Sequence, residues 1–368
     1  MKLLTIALCC FLALVPECGG QKPVQEPDPL DVKISQMSLR EKVGTLFFVR
    51  PEALKPDSWP MEALPEEAKA FCEEYPVGGV VLFAHNILDS LQLNEFTSAI
   101  HALPGRPFVC VDEEGGRVAR IANNPSFDVP RYASMEAVGN TGETAKAYEA
   151  GASIGSYLKR FGFDMDFAPV ADVNTNPNNI VIGARAFSGD PWVAASMVVK
   201  CMKGLMDEGI VPCLKHFPGH GDTFGDTHEG YVQIDKTWEQ MLEAEIIPFR
   251  AGIRSGAPVV MIAHISIPNV IGDDIPASLS SLIMQDKLRE ELGFEGVIIT
   301  DAIGMGAISK RYSSGEAALA CFLAGADIIL MPDNLTEAFD ALLAAVEDGT
   351  IGMERLDASV RRILSLKK

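Results

Sequence analysis

Three histidines, a lysine and two aspartates crowd into one glycine-punctuated stretch. It runs Lys215-His216-Phe217-Pro218-Gly219-His220-Gly221-Asp222-Thr223-Phe224-Gly225-Asp226-Thr227-His228. A polar turn needs Gly and Asp, but not this density of titratable side chains. Only Thr227 separates Asp226 from His228, so a carboxylate can fix the tautomer of an imidazole and stabilise its protonated form. The chemistry of such a pair is proton donation and acceptance; taken alone it reads as a surface contact, and its neighbours give it weight. Zinc is the other use of three histidines. His216 and His220 have helix-face spacing, yet Pro218 and Gly219 lie between them and break any helix. No metal and no cofactor is expected, and His220 reads as a loop-packing group.

Asp301 is the leading single candidate. It directly follows the apolar run Gly296-Val297-Ile298-Ile299-Thr300 and precedes Ala302-Ile303-Gly304. An aspartate so flanked is positioned as a nucleophile in a pocket, or as a cap for the next helix. A second polar run is Asp112-Glu113-Glu114-Gly115-Gly116-Arg117-Val118-Ala119-Arg120. Its paired glycines allow a tight turn. Its carboxylates and arginines would bind sugar hydroxyls or a substrate carboxylate, or simply form a salt-bridged loop. Arg185, in Ile182-Gly183-Ala184-Arg185-Ala186-Phe187, is a further candidate contact.

Something rigid must position these groups. Eight apolar runs alternate with segments of helical period: 44–49, 78–83, 108–111, 164–170, 210–215, 259–264, 296–300 and 326–331. Near-continuous apolar runs suit parallel strands buried on both faces. Helix signals lie between them. Asp190 caps a segment with Pro191 at its first position, which Gly209 ends; 314–324, 335–347 and 353 to about 366 behave similarly. Eight strand–helix units predict an α/β fold, a single (β/α)8 TIM-type barrel. A doubly wound sheet would need a Gly-rich loop after its first strand, where the chain reads Arg50-Pro51-Glu52-Ala53. The barrel makes its own test, because chemistry belongs just after strand ends. Asp112, Lys215 with His216, His264 and Asp301 all fall there.

With 48% hydrophobic and 22% charged residues, the 368-residue chain has ample material for a core. Its formal net charge of -19 argues against nucleic acid and anionic membrane surfaces as partners. Met1-Lys2, an apolar run from Leu3 to Val15, and Pro16-Glu17-Cys18-Gly19-Gly20 have the shape of an export signal. We therefore expect a signal over 1–20, a linker over 21–30 and one catalytic barrel over 31–368. Export to the periplasm, cell surface or medium follows, with Cys18 a candidate lipid-anchor position. A monomer is expected. Cys72, Cys110, Cys201, Cys213 and Cys321 are odd in number and lack clustered spacing, which predicts buried free thiols.

Taken together these segments resemble family 3 glycoside hydrolases of the β-N-acetylglucosaminidase type. The resemblance rests on KHFPGHGDTFGDTH, VDEEGGRVAR, IGARAF, LREELGFEGVIITDAIGMGAI and AGADIILMP, in that order, over essentially the whole chain from Asp31. It implies the barrel, and retaining hydrolysis of a terminal β-linked GlcNAc. Asp301 matches the family's nucleophile, and His228 with Asp226 its acid/base. Asp112, Arg120, Arg185, Lys215 and His216 match its substrate-binding positions. Glu113 stands where Gln is usual and Ala302 where a second Asp is common; neither removes a catalytic group. The expected substrate is a small oligosaccharide or muropeptide: peptidoglycan-derived fragments or chitooligosaccharides. The alternatives are a β-glucosidase or glycoside phosphorylase of the same family, and a non-catalytic sugar-binding barrel.

Overall fold

Short apolar runs with no polar face can satisfy their backbones only by pairing side by side under a cover of helices. In the computed structural model, which describes residues 28–55, 57–223, 227, 230 and 232–367, eight such runs do so. They are β1 (Phe47–Val49), β2 (Gly79–Leu82), β3 (Phe108–Val111) and β4 (Met165–Asp166). The second half supplies β5 (Val211–Phe217), β6 (Val259–Ile262), β7 (Val297–Thr300) and β8 (Ile329–Leu330). All neighbours are parallel, with Val80 opposite Val109, Cys110 opposite Met165, Met165 opposite Val211 and Val260 opposite Ile298. Phe47 pairs with Ile329, and a bridge from Ile299 to Ile328 closes the ring. The (β/α)8 expectation is met.

The helices lie where their caps put them. Asp190 accepts from the N–H groups of Trp192 and Val193 and starts the helix Pro191–Asp207. That helix crosses Thr144–Arg160 at two glycines. A Cβ on Gly151 would lie 2.1 Å from the carbonyl oxygen of Cys201, so only glycine permits this approach. Capping boxes start Leu39–Thr45 (Ser38 with Glu41) and Ser314–Ala324 (Ser313 with Glu316), and Asn334 starts Leu335–Glu347. The core fills the barrel and the layer between barrel and helices. Phe48 and Phe108 stack at 5.6 Å between ring centroids inside it, and each such side chain contributes about 1.5–3 kcal/mol by leaving water.

Most strands are shorter than the apolar runs that carry them, the last being only Ile329–Leu330 of 326–331. Gly44 and Thr45, read as strand, end the helix begun by the Ser38 capping box. The run 164–170 is a strand only over Met165–Asp166, because Pro169 has no N–H for a ladder; Val170 rejoins the sheet at Lys215. The fifth strand runs on to Phe217, two residues past the expected end. The segment expected as linker is helical from Pro29, with Asp28 as its cap. The segment expected as an export signal, Cys18 and the rest of the expected linker lie outside the described residues. Cys72, Cys110, Cys201, Cys213 and Cys321 are buried free thiols, and no helix among the described residues is long and apolar enough to cross a membrane.

Candidate active site

The strand ends open into a cavity of about 440 Å³. Phe167, Met261 and Leu330 give it apolar walls, and charged side chains reach it from the ends of most strands. Asp301 follows β7 directly and is partly buried. The Ala302 N–H donates to its Oδ1 at 2.8 Å, while its own N–H donates to the Ile262 carbonyl at 2.9 Å. Burial pushes its carboxyl up, but the His216 and His264 imidazoles, the Ala302 N–H and Lys215 outweigh that and hold it below the usual value. Asp301 is therefore a carboxylate at neutral pH, which a nucleophile must be. His264 braces this end, joined to Ser278 Oγ at 2.7 Å through Nδ1 and to the Ala302 carbonyl at 2.9 Å through Nε2.

Lys215 and His216 both reach the cavity from the end of β5. Between Leu214 and Phe217 the register with β6 shifts, and such an irregularity re-aims side chains that a regular strand would alternate. The buried Lys215 Nζ stands 2.6 Å from Asp112 Oδ1 and 2.6 Å from Glu114 Oε1. Burial disfavours its charge, but the two carboxylates reverse this and raise its pKa. His216 Nδ1 meets Asp172 Oδ2 at 2.7 Å, and its Nε2 lies 3.4 Å from the guanidinium of Arg185.

The tight turn expected after β3 is present. Gly115 and Gly116, both at positive φ, bend a hairpin of Glu113–Gly115 against Val118–Ala119. It brings Asp112 Oδ2 to 3.6 Å from Arg120, whose guanidinium lies over the Phe83 ring at 5.6 Å. Arg185 grips Glu114 with two bonds of 2.8 and 2.7 Å. Asp301, Asp112, Arg120, Arg185, Lys215 and His216 thus line one cavity. Asp226 and His228 lie outside the described residues; Thr227 between them is buried, lines the cavity, and its carbonyl accepts from Ala307 N–H at 3.1 Å.

Two acids of the DEE run part company. Glu114 joins the cavity wall. Glu113 turns into the core, where it accepts from the N–H groups of Arg120, Ile121 and Ala122 and from the Tyr157 hydroxyl. It fixes the backbone that carries Arg120 and contacts nothing in the cavity. Burial raises its pKa against those four donors. Asp172 was not singled out from sequence, yet it orients His216 and accepts from the His220 N–H at 2.6 Å. Its signal was available: it stands shortly after a strand end, as the other acids do. His220 packs the loop as expected, with Nδ1 2.8 Å from Thr223 Oγ1. Gly221 lets that loop approach, since a Cβ there would lie 1.8 Å from the Val173 carbonyl oxygen.

Residues 30–366 match the glycosyl hydrolase family 3 N-terminal domain. The chain is 34% identical over 333 residues to beta-hexosaminidase A of Pseudoalteromonas piscicida, which covers 83% of this chain and 56% of that protein. It is 36% identical over 301 residues to a beta-hexosaminidase of Stenotrophomonas maltophilia, covering 77% and 88%. A solved family 3 beta-N-acetylglucosaminidase from Paenibacillus sp. str. FPU-7 superposes with a TM-score of 0.83 at 37% identity, over 90% of this chain and 62% of that one. The chain therefore spans little more than half the length of the Pseudoalteromonas relative. On its matched span, its barrel and these relatives, the chain belongs to glycosyl hydrolase family 3.

Proposed function

We propose that this chain is a retaining exo-β-N-acetylglucosaminidase that removes terminal β-linked GlcNAc from peptidoglycan-derived fragments or chitooligosaccharides. One observation carries the reading: a carboxylate at the end of β7, held charged, shares a cavity of about 440 Å³ with Asp112, Arg120, Lys215 and His216. Asp301 attacks the anomeric carbon, and His228, protonated and oriented by Asp226, protonates the leaving oxygen. The neutral imidazole then takes a proton from water, whose oxygen displaces Asp301 from the glycosyl-enzyme. Asp112, Arg120, Lys215 and His216 hold the sugar hydroxyls, and Arg185 steadies Glu114 beside them. The names of the hexosaminidase relatives support this assignment, and Thr227, which stands between Asp226 and His228 in sequence, lines the cavity.

Replacing Asp301 by Ala is expected to lower turnover of 4-nitrophenyl β-GlcNAc by about 10³-fold or more while the far-ultraviolet circular dichroism is kept. A variant retaining a tenth of the wild-type rate would remove Asp301 from the nucleophile role. Running the wild type with and without phosphate separates water from phosphate as acceptor, since a phosphorylase would release GlcNAc 1-phosphate.

A further inference from the structure

A second concavity, of about 490 Å³, adjoins the first on the side of β1 and β8 and shares Arg50 and Asp333 with it. Sugar-binding groups come from the β3, β4 and β5 ends, so this side is where a leaving group would emerge. Three rings connect the two spaces. Phe83, in the wall of the first cavity, lies parallel to His85 at 5.9 Å and 6°. His85 in turn lies under the indole of Trp59 at 4.2 Å. The two rings are tilted by 36°, and Trp59 is 64% exposed.

Nothing in the core calls for an indole there. Trp238, by contrast, is buried and gives its N–H to Glu291. Beside Trp59 the buried Glu52 accepts through Oε1 from Met61 N–H at 3.1 Å and Asn86 Nδ2 at 2.7 Å and stands 3.3 Å from His85 Nε2, which holds the imidazole beneath the indole. Arg50 and Asp333, 3.8 Å apart, form the opposite rim. An apolar plate flanked by an exposed cation and carboxylate suits a pyranose, whose ring presents C–H bonds on its faces and hydroxyls at its edge.

We propose that Trp59, with Arg50, Glu52 and Asp333, forms a subsite for a saccharide ring on the leaving side of the substrate. This rests on the hydrolase reading above and narrows it. The natural substrate is an oligosaccharide long enough to reach the indole, and Trp59 is a specificity-determining residue that takes no part in the bond-breaking step.

The test compares wild type, Trp59→Ala and Trp59→Phe on 4-nitrophenyl β-GlcNAc, on β-1,4-linked GlcNAc tri- and tetrasaccharides, and on GlcNAc–N-acetylmuramyl peptides. Trp59→Ala is expected to lower kcat/KM on one oligomeric series by about tenfold and on the aryl glycoside by less than twofold, with Phe restoring most of the loss. The series that suffers identifies the source of the ring. Equal losses on aryl and oligomeric substrates, or none on either series, would overturn the subsite. A wild type that cleaves no substrate would instead refute the hydrolase reading. In that event calorimetric binding of the trisaccharide still decides: affinity lost in Trp59→Ala keeps the subsite, and unchanged affinity removes it.

Discussion

Glu114 stands where two buried cations would otherwise face each other. Its oxygens take both bonds from Arg185 and the ammonium of Lys215. Burial alone would raise its pKa, but those cations overcome this and keep it ionised far below the usual carboxylate range. Removing one member of a buried ionic cluster costs more than the cluster contributes, because the remaining charges lose their compensation. Glu114→Gln is therefore expected to lower unfolding stability by about 3 kcal/mol in urea and to lower kcat/KM on the aryl glycoside as Arg185 and Lys215 relax. An unchanged urea midpoint would show that Asp112 alone balances Lys215. This residue also marks the limit of sequence reading. Asp301, Asp112 and the Lys215–His216 pair were legible because a barrel puts chemistry at strand ends. The pairings of Glu114 with Arg185 and of Asp172 with His216 were not, since those partners lie 71 and 44 residues away and no local spacing encodes them.

Elements divide the labour between the two ends of the barrel. The active face is built by the ends of β3, β5 and β7, whereas the opposite end is tied by Asp327, just before β8. One of its oxygens accepts from Arg289 at 2.6 Å and the Ile298 N–H at 3.0 Å. The other accepts from Ser359 at 2.6 Å, Arg362 at 3.1 Å and Arg355 at 3.4 Å. It thereby joins the helix Leu282–Glu291, β7 and the last helix, Met353–Ser365. Asp327→Asn leaves three guanidinium groups without a counter-charge and is expected to cost about 3–5 kcal/mol. Because the tie is remote from the cavity, kcat/KM per folded molecule should stay within about twofold. A large loss of activity without loss of stability would contradict that division. The helices at 191–207, 314–324 and 335–347 were legible because caps and apolar period agree there. The tie was not, for hydrophobic period reports which face is buried and never which polar group anchors it.

At the scale of the whole molecule the barrel was readable from eight apolar runs, while residues 1–27, Asp226 and His228 lie outside the described residues. What sequence alone does not give is how an acidic protein of formal net charge -19 distributes its carboxyl groups between charged and neutral states. Glu114, Asp172 and Asp301 have lowered pKa values despite burial, each outweighed by cationic neighbours. Their stabilisation is present above the unfolded carboxylate range, about pH 4, and is lost as pH falls through their folded values. Asp166 behaves oppositely. It is buried at the end of β4, where Oδ1 accepts from Glu113 N–H at 2.9 Å and Oδ2 has no donor among the described residues. Burial raises its pKa well above the ordinary value, and the Glu113 and Asp112 charges add to this against the Glu113 N–H and Lys215. The folded chain thus holds a proton that the unfolded chain releases above about pH 4, so stability falls with rising pH until the folded group ionises too. Asp166→Asn keeps the acceptor for Glu113 N–H and abolishes that loss. It is expected to raise stability by about 1–3 kcal/mol at pH 8, with little change at pH 4, when urea unfolding is followed at both. Acid unfolding should be common to both proteins, because it belongs to Glu114, Asp172 and Asp301. A variant less stable than wild type at pH 8 would mean that Asp166 is ionised and paired with Lys215, and the cavity would then hold one more charge than its geometry suggests.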